Sequence, residues 1–179
     1  MLVSKAIVQG TGGIAGRYTL GQQRRFTVQG VREFLRLPDD LEIMGDCGAF
    51  TYVNEPTPTV TIEEVARFYD ECGFDHGASV DHVILDYNLS WDSHLPGMDP
   101  VPDAVRARQT ITIQLAREFL KHCRKQKFKF EPLGVVQGWS PKSYATAFSS
   151  LQKMGYKYIA LGGMVSLKSS EIMQVLNVV

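Results

Sequence analysis

The sequence lacks any apolar run near the roughly 20 residues that cross a bilayer, and its formal net charge is zero. The first absence removes a helical membrane span. The second removes the broad electropositive field of a bulk nucleic-acid binder, while leaving a local basic face open. Cysteine is scarce: Cys47, Cys72 and Cys123 are odd in number and show no paired metal spacing. That argues against a disulfide framework and favours a reduced, cytoplasmic compartment. The charged-then-apolar order of a signal peptide is missing too, because Lys5 follows the first apolar residues. No low-complexity stretch or linker divides the chain. Its 179 residues, 44% hydrophobic and 21% charged, read as one globular domain, 1–179, with a proper core.

The organising stretch is Leu41-Glu42-Ile43-Met44-Gly45-Asp46-Cys47-Gly48-Ala49-Phe50. It reads as a short buried strand ending in an acid, then a small-residue turn, then an aromatic. A carboxylate at the carboxyl end of a parallel strand sits at the rim of an α/β sheet or barrel, where ligands bind. Three later apolar runs also end in polar or glycine residues: Gly77 to Asp81, Gly134 to Gly138 and Tyr158 to Gly163. If all four are neighbouring strands, Asp46, Asp81, Gln137 and the Gly162-Gly163 backbone converge on one rim.

Between these runs strand and helix alternate, which argues a parallel α/β architecture. Met1 to Val8 opens as a strand. Gln9 to Gly21 is glycine-rich and reads as a loop. Its Gly10-Thr11-Gly12-Gly13-Ile14-Ala15-Gly16 run is an imperfect dinucleotide fingerprint, because no clear helix follows before Val28. The spacing of Val28, Val31, Phe34, Leu35 and Leu37 predicts a helix closed by Pro38. Thr61 and Glu64 form a capping box ahead of a helix buried through Ile62, Val65, Phe68, Tyr69 and Cys72. A strand is expected from Phe74 to Asp81. His82 to Pro102, carrying Trp91, Asp92, His94 and Pro96, is too long for a routine connection and such loops are usually functional. Asp103 to Gln126 is the longest helix, with a basic end (Lys121, His122, Arg124, Lys125, then Lys127 and Lys129) that suits the helix dipole or, alternatively, phosphate. A strand from Pro132 to Gln137, a helix opening at Ser140-Pro141, a strand from Tyr156 to Leu161 and a last helix from Ser169 complete the order.

The ordered set of motifs resembles the tRNA-guanine transglycosylase superfamily. The carrying residues are Asp46-Cys47-Gly48-Ala49-Phe50; the pair Asp75 and Asp81; Val136-Gln137-Gly138; and Gly162-Gly163-Met164-Val165-Ser166-Leu167. Ser79-Val80-Asp81-His82 and Cys47-Gly48-Ala49-Phe50 look closest to the paralogues that insert 7-deazaguanine bases into DNA. The resemblance implies a (β/α)8 TIM-barrel fold, here an incomplete barrel of about five βα units, since such barrels take roughly 200 residues or more. It also implies that the family's nucleophilic aspartate and its zinc site lie outside this stretch, so that the chain alone binds base without turning over. In the family a carboxylate attacks C1′ of a nucleotide, expels guanine and passes the sugar to a modified base.

By resemblance, Asp46 is the general acid/base. Asp81 accepts hydrogen bonds from the purine N–H edge, Gln137 binds the carbonyl, Gly138 beside it is also a base-binding residue, and Gly162 and Gly163 offer backbone donors. Phe50 walls or stacks on the base. The implied partners are guanine or a 7-deazaguanine and DNA or tRNA, with no cofactor, no metal and no membrane. A partner chain or self-association would complete the barrel by covering its open strands. Blander readings stand beside these. Asp46 can be a helix N-cap, Gly162-Gly163 a tight turn, and Gln137 a partner of loop backbone. Asp75, His76, Asp81 and His82 suggest metal ligands, but adjacent strand residues point to opposite faces. Lys5, at the end of the first strand, reads as a surface residue rather than the Schiff-base lysine of an aldolase-type barrel. The competing functions are a non-catalytic nucleic-acid-binding or assembly subunit and an unrelated small-molecule barrel enzyme.

Overall fold

A computed structural model describes residues 1–11, 13–92 and 100–179. Gly12, His94 and Pro96, singled out above, lie outside the described residues. Five strands, β1 (Leu2–Ser4), β4 (Met44–Asp46), β5 (His76–Ala78), β6 (Glu131–Val136) and β7 (Tyr158–Leu161), form one parallel sheet in sequence order. Two short strands, β2 (Gly10–Thr11) and β3 (Ile14–Ala15), make a separate antiparallel hairpin. The helices between the main strands are α1 (Lys5–Val8), α2 (Leu20–Phe34), α3 (Ile62–Glu71), α4 (Asp103–Gln126) and α5 (Pro141–Met154), with α6 (Ser169–Leu176) after β7. A parallel sheet whose neighbours are successive strands suits a partial TIM-barrel-like arrangement.

Local chemistry sets most of these elements. Thr61 and Glu64 form the expected box at α3, and Ser140 with Ser143 does the same at α5, where Pro141 stands first. The helix α4 spans Asp103 to Gln126 as its periodicity predicts. Its basic end leads into the start of β6, so those cations stand at the end of the sheet opposite the Asp46 rim.

The first fifty residues differ from expectation. The opening strand stops at Ser4, and the glycine-rich stretch holds the β2–β3 hairpin. Helix α2 begins at Leu20, not near Val28, because Thr19 and Gln22 form a reciprocal capping box. Gly30 then breaks its regular geometry (φ 79°, ψ 162°), rotating the faces on either side. Val28 is consequently 86% exposed, and Phe26 is the buried anchor, stacked on Phe68 with ring centroids 5.9 Å apart. Nearer the sheet, Tyr69 lies against the glycines of β4 and β5. A β-carbon on Gly45 or Gly77 would come within 2.3 or 2.4 Å of its ring. Its hydroxyl donates to Ala78 O at 3.2 Å. Those two glycines seat the α3 face directly on the strands that carry Asp46 and Asp81.

Candidate base-binding site

The carboxyl ends of the main strands surround a cavity of about 420 Å³ whose lining includes Ser4, Asp46, Phe50, Asp81, Gln137, Gly162 and Gly163. Register explains the grouping. Ser4 faces Asp46 across β1 and β4, and Val136 faces Leu161 across β6 and β7, so the residues just beyond each strand end at one level. Apolar side chains, among them Met44, Val135 and Met164, form the walls. The four separated motifs do meet in one cavity.

Asp46 ends β4 and accepts the Gly48 N–H at 3.0 Å through Oδ2. Gly48 is left-handed (φ +90°), and a β-carbon there would lie 2.3 Å from Ala6 Cβ, so the turn after Asp46 needs glycine on two counts. Burial raises the Asp46 pKa, with the Ser4 side chain and the Gly48 N–H opposing it. Asp81 is 5% exposed. Its Oδ2 accepts Gln137 Nε2 at 2.6 Å and its Oδ1 accepts the Cys47 thiol at 3.3 Å. Burial pushes the Asp81 carboxyl up to about 6; the Gln137 bond works against this and the Asp46 charge adds to it. Cys47 is itself held protonated by burial, and so remains a donor. The Tyr52 hydroxyl donates to Asp81 O at 3.1 Å and sits 3.3 Å from Cys47 Sγ. Each carboxylate oxygen has two acceptor sites, so Asp81 keeps capacity for donors from the cavity.

Gln137 both orients Asp81 and serves loop backbone, its Oε1 accepting the Ile84 N–H at 3.1 Å. That fixes the amide with its second Nε2 hydrogen uncommitted. A β-carbon at Gly162 would stand 2.1 Å from Gln137 Nε2, and one at Gly163 would stand 2.5 Å from Ile84 O. Glycine is required there by the approach of this amide and loop. The donor role expected of Gly162 does not hold. Its N–H already donates to Val136 O at 2.8 Å, continuing the β6–β7 ladder, while its carbonyl accepts the Tyr144 hydroxyl at 2.7 Å. The Gly163 N–H has no partner among the described residues. Gly138 also departs from expectation: it is packed against Ser143 and Tyr144 and does not line the cavity. Phe50 lies at the mouth, 54% exposed.

The suggested metal set is dispersed. Asp75 sits at the other end of the sheet, accepting Arg32 Nη2 at 3.0 Å and the Ile43 N–H at 2.8 Å. His82 points away from Asp81, with Nε2 2.8 Å from Glu55 O. No cluster of three or more metal-ligating side chains occurs among the described residues. Reading the sequence missed Ser4, Tyr52 and the thiol of Cys47 as parts of the site. Ser4 is far from Asp46 in sequence and meets it only through β1–β4 pairing, while Cys47 and Tyr52 look like ordinary core residues. Lys5 was misplaced at the surface, whereas it is 6% exposed.

Fold and site together define a parallel α/β protein whose strand ends enclose a cavity with two carboxylates, an amide and a backbone N–H. No family model matches the chain. Over 177 residues, 99% of its length, it is 45% identical to a DNA-guanine transglycosylase of Salmonella montevideo. The chain spans 41% of the length of that relative. The resemblance to the tRNA-guanine transglycosylase superfamily carried by the motifs is in keeping with this similarity.

Proposed function

We propose that this chain is the guanine-recognising portion of an enzyme that exchanges guanine for a 7-deazaguanine base in DNA. The observation that carries the reading is the shared cavity of Asp46 and Asp81, with Gln137 bonded to the second of them. Guanine offers adjacent N–H donors on N1 and N2 and a carbonyl on C6. The ionised Asp81 accepts the donors, the free Nε2 hydrogen of Gln137 meets the carbonyl, and the Gly163 N–H supplies a further donor. Asp46, at the rim and partly buried, serves the purine nitrogen that gains charge as the glycosidic bond breaks, as general acid/base. Phe50 covers the face of the ring. A base within a duplex would have to be flipped out to enter. The carboxylate that attacks C1′ is not assigned to any residue of this cavity.

Adenine reverses the pattern on the edge that Asp81 reads, placing a lone pair against the carboxylate and leaving buried donors unmatched. Such mismatches cost roughly 1–3 kcal/mol each. Calorimetric titration of the chain with guanine and with adenine tests the proposal. Guanine should bind at least about tenfold more tightly than adenine, and Asp81→Asn should remove the difference. Equal affinities, or discrimination that survives Asp81→Asn, would overturn it.

A further inference from the structure

Ser4 and Lys5 are consecutive, yet they line different cavities. Ser4 lines the Asp46 cavity, whereas Lys5 lines a second one of about 460 Å³, open to solvent, between the β2–β3 hairpin and the start of α3. Lys5 is the most buried cation here, 6% exposed, and its ammonium has neither a hydrogen bond nor an ion pair among the described residues. Glu64 lines the same cavity, but its Oε2 accepts the Thr61 N–H at 2.9 Å and the Thr61 hydroxyl at 3.1 Å. It caps α3 instead of closing on the lysine. Gln9, Thr11 and Thr59 add polar groups to the lining. Burial draws the Lys5 pKa down, and Glu64 opposes that shift. A buried, unpaired ammonium is costly unless an anion completes it.

The hairpin also joins this cavity to the other one. The Thr11 and Thr51 hydroxyls are hydrogen-bonded, and Thr51 follows Phe50 at the mouth of the Asp46 cavity. We propose that Lys5 and the hairpin cavity bind one phosphodiester of the nucleic-acid strand whose base enters the Asp46–Asp81 cavity. The proposal rests on the guanine-pocket reading for the identity of the strand. A phosphodiester carries a single negative charge, which one ammonium balances. The nearby Glu64 carboxylate disfavours the dianion of inorganic phosphate.

The test is fluorescence anisotropy of a labelled short single-stranded DNA against salt, with the whole chain, Lys5→Met, Lys5→Gln and Lys5→Arg. Both neutral variants should weaken binding by about three- to tenfold and lower the slope of log affinity against log salt by about 0.7, the value for one phosphate contact on a single strand. Lys5→Arg should restore the slope, and free guanine should bind all variants as it binds the parent. An unchanged slope in a folded neutral variant overturns the proposal, as does a parent chain that binds no DNA. Lys5-dependent binding of inorganic phosphate together with Lys5-independent DNA binding also overturns it, assigning the site to a free anion. Loss of guanine binding by the parent is a separate result and strikes the base-pocket reading alone.

Discussion

Asp81 and Gln137, 56 positions apart, are joined by a hydrogen bond of 2.6 Å between Nε2 and Oδ2 inside the cavity. Gln137 is in turn fixed by the Ile84 N–H. The carboxylate is therefore aimed before any ligand arrives, and little rotamer freedom is left to lose on binding. Gln137→Ala should free Asp81 while leaving its charge. Guanine affinity should fall about tenfold or more, since one hydrogen bond and the orientation of another are lost together. Calorimetry on the folded variant measures it.

Acidification should act on stability and binding in opposite directions. The Asp81 carboxyl titrates near 6 in the folded chain against 3.8 for an unperturbed group, so the folded state holds its proton more tightly. The contribution of Asp81 to stability is therefore fully present below 3.8 and is lost as pH rises through about 6, by about 3 kcal/mol in all. Asp46 shifts in the same direction. Denaturant unfolding between pH 4 and 7 should show this slope, and Asp81→Asn should flatten it. Guanine binding needs the ionised carboxylate, and so should weaken as pH falls through about 6.

The turn after Asp46 makes a sharper claim. Gly48→Ala places a methyl 2.3 Å from Ala6 Cβ on a left-handed backbone. The two penalties together should cost about 2–4 kcal/mol, read by chemical denaturation.

Helix α2 offers a matched pair. Phe26, fully buried, should cost about 3–5 kcal/mol when changed to alanine. Val28→Gln, two positions on and exposed, should stay within about 0.5 kcal/mol of the parent.

That pair also marks where the sequence could be read and where it could not. The alternation of strands and helices and the α3 and α4 bounds were legible, because capping residues and apolar periodicity act over a few neighbours; the strand expected to reach Asp81 instead ends at Ala78. The meeting of Asp46, Asp81 and Gln137 followed from parallel order alone. The start of helix α2 was not legible: Gly21 looked like a loop residue, and Gly30, inside the expected helix, gave no sign of the kink that turns Val28 outward. Gly162 was misassigned because a strand-end glycine looks the same whether its N–H faces a ligand or continues the ladder. Lys5 was misread because nothing local reveals that the next layer covers it.

The sheet grows by one neighbour at a time, β1 to β4 to β5 to β6 to β7. A chain leaving the ribosome can therefore lay down each strand against one already in place, without waiting for a distant partner. The wall that carries Gly163 arrives after Asp81 and Gln137 are in place. Until β7 docks, Asp81 and Gln137 face open water on one side, and a nascent chain has acids without an enclosure.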